Sequence, residues 1–141
     1  MPQRDLEIIL MQRLANYLPI PVLLVGPSGN LLFYNAPAEA LLGRRYEESG
    51  MISMKEWVTI LPAIDEKGLP LPPEDRPLTI ALQKRRAAHR TYWIRGFDGV
   101  YKKIEVTAFP LEGLAGRHLG AVAIFWETGS ASDPPGDLRK A

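Results

Sequence analysis

The sequence contains no cysteine, and this absence excludes several kinds of chemistry. Disulfide bridges, zinc sites with thiolate ligands, iron–sulfur clusters and cysteine nucleophiles all require that side chain. Only 2 histidines are present, so a catalytic or metal site built on imidazole has few candidates. We expect no metal site in this chain.

The chain also lacks an excess of charge of one sign and a long hydrophobic run. Its 17 Lys and Arg residues nearly balance 16 Asp and Glu residues, which gives no bulk electrostatic reason to expect nucleic acid as a partner. The longest apolar stretch is far shorter than the ~20 residues that cross a bilayer, and the N-terminus has no apolar signal region. With 141 residues, about one ordinary domain, we expect a cytoplasmic protein without a membrane partner.

Residues 4–18 have the spacing of a helix that ends before the prolines at positions 19 and 21. Its hydrophobic residues form two stripes rather than the single stripe of a surface helix. The first stripe is Leu6, Ile9, Leu10, Leu14 and Tyr17, and the second is Ile8, Met11, Ala15 and Leu18. Two stripes indicate a helix that covers its own domain on one side and a partner on the other. The alternative is a helix sunk deeper into its own domain.

The next part of the chain alternates short strands with short helices. Residues 22–26 and 31–34 are predicted strands around a Pro-Ser-Gly-Asn turn, and Asn35 is a predicted N-cap of a helix that ends at Gly43. An irregular segment, residues 44–73, holds one predicted helix near residues 55–61. Asp75 is then expected to cap a helix with Pro77 in its first turn.

The second half of the chain is predicted to be β structure. Strands over residues 89–96 and 100–110 flank Asp98-Gly99, a strong hairpin signal, and a last strand covers residues 117–127. The polar tail, residues 129–141, is expected to be disordered. Two strands, a block of helices and three further strands together indicate an α+β fold with an antiparallel sheet.

These segments, in this order, resemble a PAS domain, a sensory module of signalling proteins. Residues 21–43 are similar to the opening strand, Gly-bearing turn, second strand and Asn-capped helix of such domains, and residues 76–82, 98–99, 104–110 and 120–127 agree with the second half. The resemblance implies a five-stranded sheet in the order 2-1-5-4-3, with short helices inserted between strands 2 and 3 around a ligand cavity. It also implies a division into an N-terminal cap helix (1–18), a PAS domain (19–128) and the tail.

The resemblance raises the question of a cofactor. Light sensing by a flavin–thiol adduct and a chromophore held as a thioester both need a cysteine, which is absent. Relatives that bind flavin non-covalently use Asn and Gln on the last strands, where this chain is nearly all apolar. Haem would need an axial ligand, but His89 follows a basic run typical of a solvated helix end, and His118 lies in a turn. We expect neither flavin nor haem, and either no ligand or an unknown small apolar one.

The residues that would face the cavity depend on the hairpin register. A strict two-residue turn would pair Trp93 with Ile104, whereas a bulged turn, which the resemblance favours, puts Tyr92 and Ile94 on the same side as Ile104. With the bulged turn, the predicted pocket residues are Phe33, Leu41, Trp57, Leu78, Leu82, Tyr92, Ile94, Ile104, Val106, Ala108, Ala121, Ala123 and Phe125. We expect side chains to fill most of this space.

The other face of the predicted sheet would carry too much apolar surface to leave wet, and the N-terminal helix of the same chain or of a partner would cover it. The candidate residues for a dimer interface are Leu6, Ile8, Ile9, Met11, Leu14, Leu18, Trp93, Ile124 and Trp126. The leading hypothesis is therefore a non-catalytic sensory and dimerisation module. It would act as a homodimer through the N-terminal helix and be coupled to an effector domain or a partner protein.

Three alternatives stay open. A haem-binding sensor would use His89. A small α+β pocket enzyme, of the isomerase or hydrolase kind, would need a carboxylate or histidine inside the pocket with a shifted pKa. The acidic pairs Asp65-Glu66 and Glu74-Asp75 are better explained by capping and solvation. A basic cluster over residues 84–90 would bind phosphate or an acidic partner, although a solvated charged face also accounts for it.

Overall fold

The computed structural model describes residues 3–44 and 52–128, so the predicted disordered tail lies outside the described residues. The helices are α1 (Gln3–Tyr17), α2 (Ala36–Leu42), α3 (Met54–Ile60) and α4 (Pro77–Lys84). The strands are β1 (Val22–Val25), β2 (Leu31–Tyr34), β3 (Ala63–Ile64), β4 (Ala88–Arg95), β5 (Tyr101–Glu112) and β6 (His118–Glu127). Short 3-10 turns cover Pro73–Asp75 and Leu114–Gly116. None of the described helices is long and apolar enough to cross a membrane.

The strands form one antiparallel sheet in the order β2-β1-β6-β5-β4-β3. The five longer strands reproduce the predicted order 2-1-5-4-3, with the short helices inserted where expected. The predicted strand count is one too low, because β3 adds a two-residue strand beside β4. A strand of two residues is too short to show an alternation of apolar and polar residues, so the sequence pattern does not predict it.

The hairpin between β4 and β5 has the bulged turn that the resemblance favoured. The Gly96 N–H donates to the Val100 carbonyl at 3.0 Å, the Gly99 N–H donates to the Gly96 carbonyl at 3.0 Å, and Gly99 has a φ of +80°. This is a type I turn followed by a glycine in the left-handed region. It pairs Tyr92 with Ile104 and so points both side chains to the same face of the sheet.

The sheet separates two apolar clusters, which we call inner and outer. The inner cluster lies between the sheet and α2, α3 and α4, and most of the core residues belong to it. The outer cluster lies between the opposite face and α1. Its buried members are Ala15, Val22, Leu24 and Val122, and Ile8, Met11, Leu18, Ile20, Phe33, Phe109, Leu111 and Ile124 pack around them. The helix that covers the outer face is therefore the chain's own.

Most predicted helix ends are confirmed, but the start of α4 is not. Asp75 belongs to the preceding 3-10 turn, and Arg76 takes the N-cap position without a side-chain cap. The reason is Pro77, which disfavours helical geometry at the residue before it and fits the first position of a helix. Arg76 is accordingly extended, with φ −75° and ψ 138°.

The basic run lies at the exposed C-terminal end of α4, as predicted. α4 ends at Lys84, Arg85 takes left-handed geometry with φ +53°, and β4 begins at Ala88. His89 is the second residue of β4, in line with the strand predicted over residues 89–96. Its ring Nδ1 lies 2.7 Å from the Thr107 hydroxyl across the β4–β5 pair.

Candidate functional site

A cavity of about 50 Å³ lies within the inner cluster. One buried water needs roughly 10–15 Å³ of such volume, so the cavity has room for about three to five waters or for a ligand of similar size. Its lining is Leu23, Leu31, Leu42, Trp57, Leu61, Arg76, Leu78, Tyr92, Ile94, Ile104, Val106, Ala123 and Phe125. The strands supply its floor, and α2, α3, α4 and the segments around them supply its walls. Side chains fill most of the inner face, but not all of it.

The structure brings most of the predicted pocket residues together. Trp57, Leu78, Tyr92, Ile94, Ile104, Val106, Ala123 and Phe125 line the cavity. Leu82, Ala108 and Ala121 are buried in the inner cluster without lining the cavity, and Leu41 packs against that cluster from its edge. The Trp57 indole N–H donates to the Gly29 carbonyl at 2.8 Å, which fixes α3 against the β1–β2 turn.

Phe33 is wrongly placed by the prediction. It packs into the outer cluster, opposite Leu24 on β1. The cause is an irregularity in the β1–β2 pairing: Val25 pairs with Leu31 and Leu24 with Phe33, which leaves Leu32 as an extra residue. An extra residue shifts the alternation of side chains by one, so Leu31 and Tyr34 face the inner cluster while Phe33 faces the outer one.

The cavity residue of most chemical interest, Arg76, was not predicted. It is only 4% exposed, although arginine is a residue type that rarely lies so deep. Its Nη2 donates to the Val58 carbonyl at 3.2 Å, while its Nε is buried without a hydrogen-bond partner. Burial lowers the pKa of Arg76, and the neighbouring Tyr92 partly offsets that effect. The sequence gives no sign of this burial, because Arg76 stands between polar residues and a proline.

Tyr92 is the other ionisable group in the cavity lining. It is buried, and the loss of solvation raises its pKa to about 12, against the smaller opposing effects of Arg76 and Arg90. Its hydroxyl is therefore neutral at ordinary pH and can donate a hydrogen bond. Within the described ranges it makes no hydrogen bond to another residue.

The alternatives that depended on histidine or carboxylate groups find no support in the cavity. His89 lies on β4 with its side chain on the opposite face from Tyr92, because it is an odd number of residues away along the strand. Asp65 sits in an exposed turn, where backbone N–H groups of Leu69 and Lys67 lower its pKa. The cavity lining contains neither histidine nor carboxylate, and the described part of the chain holds no cluster of potential metal ligands.

Asn35 connects the two faces of the sheet. It is 1% exposed, and its Oδ1 accepts from the Val22 N–H at 3.0 Å and from the Ala38 N–H at 3.2 Å. Its Nδ2 donates to the Ala15 carbonyl at 2.8 Å and to the Ile20 carbonyl at 2.9 Å. The predicted N-cap is thus confirmed, and the same side chain also fixes the end of α1. That long-range role has no signal in the local sequence.

The two apolar stripes of α1 have different surroundings. The second stripe packs on the chain's own sheet, with Ala15 fully buried. The first stripe is open: Leu6 is 50%, Leu10 57%, Leu14 54% and Tyr17 87% exposed, while Ile9 is half-buried. This division matches a helix that covers its own domain on one side only.

Several dimer-interface candidates are therefore used within the chain. Ile8, Met11, Leu18 and Ile124 are partly buried and pack against the outer cluster. Trp93 is 5% exposed and lies across from Ile64 of β3, the edge strand that the sequence did not predict. The remaining candidates that stay exposed are Leu6, Leu14 and Trp126, whose indole N–H donates to Glu105 at 2.8 Å.

Solved structures share this fold. The PAS domain of a protein from Colwellia psychrerythraea matches with a TM-score of 0.61 and 17% identity, over 85% of this chain and 97% of that one. The PAS domain of nitrogen regulation protein NR(II) from Vibrio parahaemolyticus matches with a TM-score of 0.60 and 18% identity, over 84% and 98%. An RNA-binding Light-Oxygen-Voltage receptor matches with a TM-score of 0.63 and 20% identity, over 90% of this chain and 34% of that one. No family model and no curated protein matches the sequence.

Proposed function

We propose that this chain, which has the fold of a PAS domain, is a sensory module of a signalling protein. It takes a small ligand into the inner cavity and pairs with a second copy of itself through α1. The observation that carries the proposal is the cavity: a space lined almost wholly by apolar side chains on the inner face of a PAS sheet. Concave apolar sites with few polar groups are typical of small-molecule binding.

The exposed stripe of α1 supports pairing with a second copy because its pattern is self-complementary. In an antiparallel pair of α1 helices centred on Leu10, Leu6 of one copy lies opposite Leu14 of the other. The same arrangement sets Glu7, which also bonds to Arg117 of its own chain, opposite Arg13, whereas a parallel pair would set like charges side by side. A two-fold interface needs this kind of self-complementarity.

The same cavity is where a cofactor would bind. Light-Oxygen-Voltage proteins are among the chains of similar fold, so flavin is one ligand to test. A flavin bound here would react without a cysteine adduct, since the chain has none. We expect purified protein to show neither flavin nor haem absorption, and an absorption spectrum checks this directly.

The test of the proposal is an NMR titration with 1-propanol and with propionate, two small probes that differ in charge. We expect at least one of them to bind the wild-type protein, and the Ala123→Leu variant, which fills the cavity, to lose that binding. Ala87, on the exposed turn before β4, supplies the control, because Ala87→Leu adds the same atoms away from the cavity. Failure of both probes to bind, or equal binding by Ala123→Leu, would contradict the proposed ligand site.

A further inference from the structure

The cavity carries one unusual feature, which is a positive charge with no counter-charge among residues 3–44 and 52–128. Arg76 lines the cavity and is almost fully buried. Within the described ranges, the salt bridge that the structure shows joins Arg117 to Glu7 and is remote from the cavity. Buried charges in proteins are normally paired, because an unpaired one loses its hydration without compensation.

The hydrogen bonds of Arg76 account for only a small part of its guanidinium. Arginine has five N–H donors in a planar fork, and here one hydrogen bond reaches the Val58 carbonyl while Nε has no partner. A single bond to a main-chain carbonyl could be made by an uncharged side chain. A structural role at the start of α4 therefore leaves the charge itself unexplained.

The residues around Arg76 indicate which kind of ligand would pair with its charge. The other lining residues are aliphatic or aromatic, and Tyr92 is the one among them with a hydroxyl group. Planar carboxylates match the guanidinium fork and accept two parallel hydrogen bonds from it. A tyrosine hydroxyl beside that fork can donate a further one.

We infer that the ligand of the inner cavity is a small carboxylate with a short apolar tail, held by Arg76 and Tyr92 while its tail contacts Leu78, Ile104 and Phe125. This inference rests on the proposed ligand-binding function and specifies its ligand class. The cavity volume of about 50 Å³ fits an acid with a tail of a few carbon atoms rather than a long-chain fatty acid.

The experiment compares three probes that share one skeleton and differ in charge: propionate, propionamide and propionamidine. Their binding to the full chain is followed by NMR titration at neutral pH. We expect propionate to bind at least about tenfold more tightly than propionamide, in line with the strength of a charge-assisted hydrogen bond. We expect the cationic propionamidine not to bind. Equal affinity for propionate and propionamide would overturn the inference.

Two substitutions locate the preference. In Arg76→Met, which keeps a long apolar side chain, propionate should lose its advantage over propionamide. Arg86→Met removes the same charge from an exposed position and should leave the preference intact, which controls for net charge. Tyr92→Phe, which removes only a hydroxyl, should weaken propionate by a few-fold and gives a second variant if Arg76→Met does not fold. Unchanged preference in Arg76→Met, or in Tyr92→Phe if only that variant folds, would overturn the inference.

The 1-propanol titration separates this inference from the proposed function. If 1-propanol binds and Ala123→Leu abolishes that binding while propionate has no preference, the cavity binds ligands and the carboxylate assignment is wrong. If neither 1-propanol nor any member of the propionate series binds, the ligand-binding function and the inference both fail.

Discussion

The two faces of the sheet carry similar aliphatic side chains, yet only the inner face has a cavity among the described residues that pack on it. On the outer face, a single helix of 15 residues packs on the sheet, and residues such as Leu24 and Val122 are buried in the cluster between them. On the inner face, helices of 7 and 8 residues with irregular connections cover the strands and leave a cavity. One long helix covers the outer face without interruption. Several short helices cover the inner face, and the space between them is not completely filled by side chains.

The comparison suggests a division of labour within one small domain. The outer face provides stability and, through the exposed side of α1, the proposed dimer contact. The inner face is less completely packed and contains the buried charge of Arg76, which we assign to ligand recognition. Asn35 joins the two, since its side chain bonds to the end of α1, to β1 and to α2.

The largest effect is expected from breaking this junction with Asn35→Ala. The variant loses the N-cap of α2 and leaves the Val22 N–H and the Ala15 and Ile20 carbonyls without their buried partner. We expect a loss of about 3–5 kcal/mol in the free energy of unfolding, measured by urea denaturation.

Asn35→Asp is the companion variant, because it keeps both acceptor interactions and sets a carboxylate oxygen against the Ala15 and Ile20 carbonyls in place of the two donors. It should also be destabilising, since a buried carboxylate beside two carbonyl oxygens is unfavourable. It should also speed hydrogen exchange in α1 more than in α2, where the cap survives. Equal stability of Asn35→Ala and wild type would show that the junction contributes nothing.

The packing difference between the faces predicts unequal costs for the same truncation. Leu24→Ala opens a hole in the closed outer cluster and should cost about 3 kcal/mol of unfolding free energy. Leu78→Ala only enlarges a cavity that already exists, so fewer contacts are lost, and it should cost about 2 kcal/mol. Denaturation of the two variants side by side checks the order. A larger cost for Leu78→Ala would refute the view that the inner face is the less tightly packed one.

The burial of Tyr92 predicts that the stability of the protein depends on pH in the alkaline range. The pKa of Tyr92 is about 12 in the folded chain against an ordinary value of 10.0, so the unfolded state loses the proton first as the pH rises. The wild type should therefore lose up to about 1.4 kcal/mol of stability per pH unit between the two values, a loss that Tyr92→Phe does not share. Below the ordinary value the difference between the two proteins should be constant. Parallel curves throughout the alkaline range would show that Tyr92 is not desolvated.

The exposed stripe of α1 predicts a change in assembly with little change in stability. Leu10→Glu places charges at the centre of the proposed antiparallel pair and should convert a dimer into a monomer by light scattering. Asn16→Glu adds the same charge to an exposed position outside the stripe and should leave the mass unchanged. The free energy of unfolding of the monomer should change by less than about 0.5 kcal/mol, because Leu10 is exposed. A wild-type monomer would refute the proposed pairing.

Local chemistry in the sequence predicts much of the fold. The Asn35 cap and the apolar stripes of α1 each depend on neighbouring residues, and the structure confirms the cap and the packing of one stripe on the chain's own sheet. The family resemblance supplied the strand order and the hairpin register, which in turn placed most of the cavity residues.

The errors arise where distant parts of the chain decide the outcome. The extra residue in the β1–β2 pairing, which turns Phe33 outward, depends on how two strands align and leaves no mark in either strand. The burial of Arg76 depends on α3 and β4 closing around it. The second bonding pair of Asn35, to Ala15 and Ile20, depends on where α1 ends up. Propensity and periodicity describe single segments, so they do not capture such contacts.

The most direct test of the division between the faces is a methyl NMR spectrum of the wild-type protein recorded with and without propionate. We expect shifts at methyl groups that line the cavity, such as those of Leu78, Ile104 and Val106, and none at the outer methyls of Val22, Leu24 and Val122. Shifts confined to the outer methyls, or no shifts at saturating propionate, would contradict the assignment of ligand binding to the inner face.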